Sequence, residues 1–361
     1  MLIRLASPAR RHRSDAAFLS LLLSAFKPSL VIPNSDFFIP MRALYFDGAL
    51  SVRDVERPRP GPEEALIQVS LAGICATDVQ ILKGYFGFRG IPGHEFVGRV
   101  VECEDSKWLG KRVVGEINVS CGDCEMCLWG LNRHCPNRTV VGILNRPGTF
   151  AEYVVLPTFN LHQVPESISD EAAVFIEPLA AAAEILEQKP IWPRVRVAVL
   201  GDGKLGLLIA QVLHDKKAQI TLFGKHPWKL DLAQSLGIPT TGMMDNSKPA
   251  LRFSVVVEAT GSPKGLEEAF RLVTPRGTIV MKSTYHGLAQ FDTGKLVVDE
   301  ITLLGSRCGA FPPAIDLLAQ GAVNVGGLVS KIFPLEDSLA AFEYLKHGSP
   351  LKVLLRPGSV A

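Results

Sequence analysis

Four cysteines lie close together, and their spacing is that of a metal site. The segment CGDCEMCLWGLNRHC contains a C-x2-C-x2-C-x7-C array made of Cys121, Cys124, Cys127 and Cys135. Four thiolates in one loop are enough for a closed, tetrahedral structural zinc site. An iron–sulfur cluster and a redox dithiol are the alternatives, and Pro136 after the last cysteine keeps the first of these open. We interpret His134 as a neighbour of the site and not as a ligand.

A second group of candidate ligands lies upstream. Cys75 stands in GICATD, and His94 and Glu95 stand in GHEFVG. Thiolate and imidazole are preferred zinc ligands, and a catalytic zinc keeps three protein ligands and one open position. If each residue is considered alone, the simpler interpretation of Cys75 is a small buried apolar residue, and that of His94 is a hydrogen-bonded histidine in the core. The nearby cysteine array favours metal binding for both.

A glycine-rich segment indicates a dinucleotide site. In VRVAVLGDGKLGLLIAQVL, an apolar run precedes Gly201, Gly203 and Gly206, and apolar residues at helical spacing follow. The pattern predicts a strand, a tight turn and a helix. The first glycine lets the chain turn, the second admits a pyrophosphate and the third lets the helix pack on the strand, while the helix N-terminus binds the anion.

Two different arrangements of strands are expected to position these motifs. The short strand patterns after Met41 predict a β-rich region around the candidate zinc ligands. After the glycine-rich helix, the apolar runs ITLF, SVVVEATG, GTIVMK and ITLLGSRCG predict further strands of a parallel sheet. The carboxyl ends of such strands form a ligand crevice. The fold class expected is therefore α/β.

The motifs also occur in the order found in one family. From Met41 to Pro357 the chain resembles the zinc-containing medium-chain dehydrogenase/reductase family, nearest its sorbitol, threonine and glucose dehydrogenase branch. The resemblance implies a GroES-like catalytic domain, residues 41–178 and 308–361, and a doubly wound Rossmann domain, residues 179–307. It also implies a homodimer or homotetramer. The function implied is hydride transfer between an alcohol, such as a polyol or sugar, and a nicotinamide cofactor.

Two non-enzymatic alternatives remain open. The first is a sensor or scaffold of the same fold that binds NADP(H) without turnover. The second is a zinc-held structural protein in which the glycine loop is incidental.

The resemblance assigns roles at the candidate catalytic site. Cys75 and His94 would bind a catalytic zinc, Asp78 would orient His94, and Thr77 would pass a proton from the alcohol. Many family members end this proton relay with a histidine, but Gln80 stands at the matching position and cannot act as an acid or base.

The third zinc ligand has two candidates. In the sorbitol dehydrogenase branch it is a glutamate, and the matching residue here is Glu177 in AAVFIEPLAAAAEIL. Glu95 is the alternative. An ordinary acidic residue at a helix start is the simpler interpretation of Glu177.

The cofactor type is predicted from the second strand of the parallel sheet. NAD-binding members carry an acidic residue at its end, where this chain has Gly224 followed by Lys225 and His226. The missing carboxylate and the added cations, with Lys229 as a further candidate, predict NADP(H) over NAD(H), although a solvated helix start is an alternative explanation of Lys225 and Lys229. The other predicted cofactor contacts are Gly201, Gly203, Lys204, Leu205, Gly206, Thr260, Gly261 and Arg307. Arg307 is equally compatible with an ordinary surface position.

Composition excludes several classes of protein. The 361 residues are 47% hydrophobic, which suits two folded domains. The 38 basic and 36 acidic residues are too balanced for a nucleic-acid binder, and the longest apolar run, residues 16–26, is too short to cross a membrane. A small-molecule partner is expected. The clustered cysteines favour a reducing compartment.

Residues 1–40 differ in composition from the rest and are expected to lie outside the fold. They are poor in acidic residues and contain Arg4, Arg10, Arg11 and Arg13. This profile is typical of a transit peptide for a chloroplast or mitochondrion. A secretory signal and an upstream start codon, with Met41 as the true first residue, are the alternatives; the last would leave the protein in the cytoplasm.

Overall fold

The computed structural model describes residues 38–84, 87–242, 252–284 and 288–358. Most of the N-terminal segment discussed above, residues 1–37, lies outside the described residues. Two residues that were expected to precede the fold belong to it. Pro40 pairs with Glu56 in the first strand pair, and the Ile39 carbonyl accepts a hydrogen bond from Arg57 N. The described fold therefore begins just before Met41.

The described residues form eighteen strands. In chain order they are β1 (Pro40–Phe46), β2 (Leu50–Glu56), β3 (Glu64–Ile74), β4 (Glu95–Cys103), β5 (Arg112–Gly115), β6 (Asn118–Val119), β7 (Thr139–Val141), β8 (Asn145–Arg146), β9 (Tyr153–Pro157), β10 (Leu161–Gln163), β11 (Arg196–Leu200), β12 (Gln219–Gly224), β13 (Thr240–Gly242), β14 (Phe253–Glu258), β15 (Val273–Met281), β16 (Thr302–Gly305), β17 (Val329–Pro334) and β18 (Lys352–Arg356).

Ten α-helices connect these strands in the described part of the chain. They are α1 (Ala76–Ile81), α2 (Glu125–Leu128), α3 (Asp170–Ala173), α4 (Ile176–Gln188), α5 (Lys204–Asp215), α6 (Pro227–Ser235), α7 (Pro263–Leu272), α8 (Thr293–Val298), α9 (Phe311–Ala319) and α10 (Ser338–Tyr344). Among the described residues, no helix has the length and apolar character needed to span a bilayer.

The first large sheet is built from both ends of the described chain. Its strand order is β10-β5-β4-β3-β18-β17, and β9 also pairs with β3. The long strand β3 lies between β4 and β18, antiparallel to both. The end of β3 therefore lies beside the beginnings of β4 and β18. Residues at these three positions come from distant parts of the sequence but become neighbours.

The second large sheet is entirely parallel. Its six strands follow the order β13-β12-β11-β14-β15-β16, which is the strand order of the doubly wound dinucleotide-binding fold. Alternate residues of β11 face opposite sides. Val197 and Val199 pack in the core that contains α4, α5 and α9, whereas Ala198 and Leu200 pack against α7. Both faces are covered, which explains why the strands are apolar throughout. The predicted fold class is confirmed.

Candidate active site

The four predicted thiol ligands converge in the lobe between β6 and β7. The Sγ–Sγ distances are 3.4 Å for Cys121–Cys135, 3.5 Å for Cys124–Cys127, 3.7 Å for Cys124–Cys135 and 4.0 Å for Cys121–Cys127. Zinc–sulfur bonds of about 2.3 Å in a tetrahedron place the sulfur atoms about 3.8 Å apart. The donor set and its spacing therefore fit a zinc ion.

A second group of ligand atoms lies where β3 ends and β4 begins. Ligand atoms of Cys75, His94 and Glu95 lie within 4.8 Å of one another. Cys75 directly follows β3 and precedes α1, and His94 directly precedes β4. Because Gly73 pairs with Glu95 across the two strands, the sheet itself brings these residues together.

Asp78 supports this second group from α1. Its Oδ2 accepts a hydrogen bond from Cys75 N at 2.7 Å, and its Oδ1 lies 3.2 Å from His94 Nδ1. The carboxylate thus faces one ring nitrogen and leaves Nε2 for a metal. Although burial disfavours the imidazolium, Asp78 raises the pKa of His94 well above its ordinary value. The same carboxylate can accept the Nδ1 proton of a neutral ring whose Nε2 binds a metal ion. The hydroxyl of Thr77 lies 3.8 Å from Cys75 Sγ.

Glu95 is held by two lysines that the sequence did not identify as partners. Lys352, the first residue of β18, contacts Glu95 Oε2, and both side chains are fully buried. Lys204 Nζ lies 3.9 Å from Glu95 Oε1. Burial opposes ionisation of Glu95, but Lys204 and Lys352 keep the pKa of its carboxyl below its usual value. Burial also lowers the pKa of Lys352 to about 8, against the opposing effect of Glu95.

The space for this ion pair comes from Gly73. A Cβ atom at that position would lie 2.6 Å from Glu95 Oε2 and 3.3 Å from Lys352 Nζ. Glu95 Oε1 is buried and has no hydrogen-bond partner among the described residues. It is therefore the oxygen that could complete a metal site with Cys75 and His94.

Glu177 lies nearby but outside this group. It is the second residue of α4, and burial raises the pKa of its carboxyl although the His94 charge opposes the rise. The structure thus brings Glu95, rather than Glu177, together with Cys75 and His94, because Glu95 is adjacent to His94 at the start of β4. Glu177 as third ligand stays a prediction.

The glycine-rich turn between β11 and α5 has the geometry that was predicted. Gly201 has a φ of +112°, and a Cβ there would lie 2.5 Å from Ala259 O. A Cβ on Gly206 would lie 1.9 Å from Gly201 O, so only glycine lets α5 approach the turn. Gly203 faces open space, since a Cβ at this position would have no neighbouring atom of the described residues within 4 Å. The N-terminus of α5 is thus open to an anion.

Gly206 and Gly203 should respond differently to alanine. Gly206→Ala is expected to destabilise the fold by about 1–3 kcal/mol, because the new methyl group meets backbone. Gly203→Ala should leave the thermal unfolding temperature unchanged, since its φ of −74° suits alanine, yet weaken dinucleotide binding. Thermal unfolding and NADH titration of both variants check this pair. Equal effects of the two substitutions on stability would contradict it.

Lys204 does not point towards the predicted phosphate site. From the first turn of α5 its Nζ donates to Ile74 O at 2.9 Å, at the end of β3. The Glu95 carboxylate outweighs the effect of burial and raises the pKa of Lys204. This side chain therefore joins the dinucleotide-binding turn to the candidate metal site. The backbone of Lys204 and of the partly buried Leu205 remains at the helix N-terminus.

Asp202 corrects the premise of the cofactor prediction. The end of β12 was expected to lack a carboxylate because Gly224 stands there. Asp202, from the glycine-rich turn, fills that place: its Oδ2 accepts hydrogen bonds from Lys225 N and His226 N, each at 2.7 Å. The backbone N–H groups of Lys225 and His226 and the His226 ring therefore already face a carboxylate, whereas Lys225 contributes no side-chain bond to it. Asp202 was not identified from sequence because it is 23 residues from its first partner.

The three remaining predicted contacts differ in their surroundings. Thr260 lies beside the turn, since a Cβ on Gly201 would be 3.1 Å from its Cα, and Gly261 follows it. Arg307 instead reaches the cysteine lobe, where its Nη2 donates to Arg133 O at 2.7 Å and Asn118 Oδ1 at 3.2 Å. Through these bonds Arg307 stabilises the cysteine lobe. A contact between Arg307 and the cofactor stays a prediction.

Lys282 is a buried lysine that the sequence did not single out. It follows β15, and its Nζ donates to Ala181 O, Ser306 Oγ and Arg307 O at 2.6, 3.1 and 2.8 Å. Burial lowers the pKa of Lys282 to about 8. Its bonds join the middle of α4 to the segment after β16.

Comparison with known proteins identifies the family. Residues 61–166 match the alcohol dehydrogenase GroES-like domain, and residues 205–320 match the zinc-binding dehydrogenase family. L-threonine 3-dehydrogenase of Deinococcus deserti is 30% identical over 328 residues, 84% of this chain and 94% of that protein. D-arabinitol dehydrogenase 1 of Uromyces fabae is 29% identical over 343 residues, 88% of this chain and 97% of that protein.

Solved structures agree with these relatives. A structure of the short chain alcohol dehydrogenase rspB from Escherichia coli CFT073, complexed with NADH, has a TM-score of 0.82 at 28% identity, covering 88% of this chain and 99% of that one. A structure from Sinorhizobium meliloti 1021 bound to NADP has a TM-score of 0.81 at 29% identity, covering 88% and 100%. The chain therefore belongs to the zinc-type alcohol dehydrogenases of the medium-chain dehydrogenase/reductase family and is an oxidoreductase.

Proposed function

We propose that the protein is a zinc-dependent dehydrogenase that transfers hydride between an alcohol and a nicotinamide dinucleotide. The observation that carries this proposal is the convergence of Cys75, His94 and Glu95 beside the turn that Lys204 joins to them. A metal site and a dinucleotide site in contact are what such a reaction requires. The relatives named above act on a hydroxy amino acid and on a polyol, which supports a polyol, sugar or similar hydroxyl compound as substrate.

Two zinc ions per chain are part of the proposal. Cys75 and His94, with Glu95 or Glu177, would hold the catalytic ion, which when bound polarises the substrate oxygen and favours loss of its proton. Cys121, Cys124, Cys127 and Cys135 would hold the structural one. Asp78 keeps the His94 ring in a fixed orientation, as outer partners of metal ligands do.

Thr77 is the proposed first acceptor of the substrate proton. Its hydroxyl can accept and donate at once, and it lies beside Cys75. Gln80 lies one helical turn further along α1, and its amide cannot take up or release the proton. We therefore place the end of the relay at solvent.

The dinucleotide would lie along the carboxyl edge of the parallel sheet. Its pyrophosphate would bind at the start of α5, with Gly203 facing it and Thr260 and Gly261 beside it. The cofactor supplies the hydride chemistry, and these residues hold it in place. The sequence favoured NADP(H) through Lys225 and His226. The related structures include one with NADH and one with NADP. The preference of this chain for NAD(H) or NADP(H) must therefore be argued from its own residues.

Turnover is the test of this proposal. The full chain, loaded with zinc, is incubated with NAD⁺ or NADP⁺ and a panel of polyols, sugars, hydroxy amino acids and simple alcohols, and reduced nicotinamide is followed by absorbance. We expect turnover with at least one hydroxyl compound. Saturable NADH or NADPH binding without turnover on any panel member would favour the sensor instead.

We also propose that two copies pair through the edge of the parallel sheet. The edge strand β16 is largely exposed, and α8, which precedes it in the chain, presents Val297 and Val298 at 73% and 80% exposure. Unpaired strand edges flanked by apolar side chains favour association with another copy. Val297→Asp with Val298→Asp is expected to give a monomer in light scattering, whereas the native chain gives a dimer or a multiple of it. Unchanged mass in the double variant would contradict this interface.

A further inference from the structure

The end of β12 holds a carboxylate that comes from the glycine-rich turn. We propose that Asp202 takes the place of the acidic residue expected at the strand end, binds the adenosine ribose hydroxyls and selects NAD(H) against NADP(H). This inference rests on the proposed function. It reverses the cofactor preference that Gly224, Lys225 and His226 suggested from sequence.

Asp202 uses the donors that a 2′-phosphate would need. Its Oδ2 accepts from Lys225 N and His226 N, each at 2.7 Å. His226 Nδ1 lies 3.0 Å from both carboxylate oxygens. A 2′-phosphate at this place would be repelled by the Asp202 carboxylate and could accept these N–H bonds only by displacing it. Ribose hydroxyls, in contrast, can donate to the free lone pairs of the carboxylate.

Gly224 makes room for this arrangement. A Cβ at position 224 would lie 2.6 Å from both Cβ and Oδ2 of Asp202. Asp202 can therefore lie at the end of β12 only because position 224 has no side chain. The carboxylate reaches the strand end from a different segment.

The charges around Asp202 keep it ionised. Burial disfavours its charged form, but the hydrogen bonds from His226 and Lys225 hold the pKa of Asp202 below its usual value. Lys229 is buried nearby, and its charge interacts with Asp202. Lys225 is exposed and contributes only its backbone N–H to the contact. The His226 ring and the Lys229 charge therefore act on a carboxylate that is already present.

Binding of NADH and NADPH to variants of the full chain tests the inference, with nucleotide fluorescence as the readout. The native chain should bind NADH at least about tenfold more tightly than NADPH, since charge-assisted hydrogen bonds are worth about 1.5–3 kcal/mol. Asp202→Ala should weaken NADH binding and strengthen NADPH binding, because Lys225 N and His226 N become free. Asp202→Asn should move the ratio in the same direction without changing the size of the side chain.

A double variant separates cofactor selection from a purely structural role. Asp202→Gly with Gly224→Asp moves the carboxylate to the strand end: it removes the Cβ and Oδ2 atoms that a Cβ at position 224 would meet at 2.6 Å, leaves only the flexible end of Leu230 to give way, and should restore the preference for NADH. A native preference for NADPH would overturn the inference, as would a ratio that none of these substitutions changes. Either result leaves the proposed function intact, whereas failure of both nucleotides to bind the native chain would overturn the function as well.

Discussion

Cys75→Ala is expected to lower the zinc content from two ions per chain to one and to reduce kcat/KM at least about 1000-fold. The loss is large because polarisation of the substrate oxygen by a metal contributes several kcal/mol to the rate. The fold should persist, since Asp78 bonds to the backbone N–H of residue 75 and not to its side chain. Metal analysis and the turnover assay measure the two effects.

Cys103→Ala is the matched control for this variant. Cys103 is also a free, half-buried cysteine, but it ends β4 and belongs to neither ligand group among the described residues. It should keep both zinc ions and full turnover. If Cys75→Ala also kept two zinc ions and native activity, the catalytic metal would have to lie elsewhere.

Cys135→Ser is expected to remove the other zinc ion and to destabilise the protein by more than about 2 kcal/mol, as loss of a structural metal does. Cys135 is the buried member of the lobe, and its Sγ lies 3.4 Å from Cys121 Sγ and 3.7 Å from Cys124 Sγ. Tryptic cleavage after Arg133 or Arg138 should become faster as the lobe loosens.

The readouts for the lobe are zinc content, the thermal unfolding temperature and the rate of proteolysis, with Cys103→Ser as control. Because Arg307 bonds to Arg133 O, a loosened lobe should also disturb the segment after β16. Iron in the native chain, with visible absorbance, would instead support the iron–sulfur alternative. An unchanged zinc content and unfolding temperature in Cys135→Ser would contradict a structural zinc at this site.

Sequence was most informative where the interacting residues are close along the chain. The cysteine lobe and the turn from Gly201 to Gly206 are each contained in one short segment, so spacing alone restricts their geometry. The family and the fold class were also predictable, because several such segments occur in a known order. Cys75 and His94 are further apart, but neighbouring strands bring them together.

The residues that sequence did not reveal act over long separations. Lys352 is 257 residues from Glu95, and Lys204 Nζ bonds to a carbonyl 130 residues away. Lysines usually lie in solvent, so neither residue carried a signal of burial. The cofactor prediction missed a nearby carboxylate for the same reason. It considered position 224 alone, whereas the carboxylate arrives from Asp202 in another segment.

Zinc-dependent turnover is the measurement that tests the central claim most directly. The chain is stripped of metal, reloaded with Zn²⁺ or with Mg²⁺, and assayed for formation of reduced nicotinamide over the panel of hydroxyl compounds. Turnover should disappear with the metal and return with Zn²⁺ only, because thiolate and imidazole ligands suit zinc and not magnesium. Undiminished turnover in the stripped chain would contradict a zinc-dependent dehydrogenase.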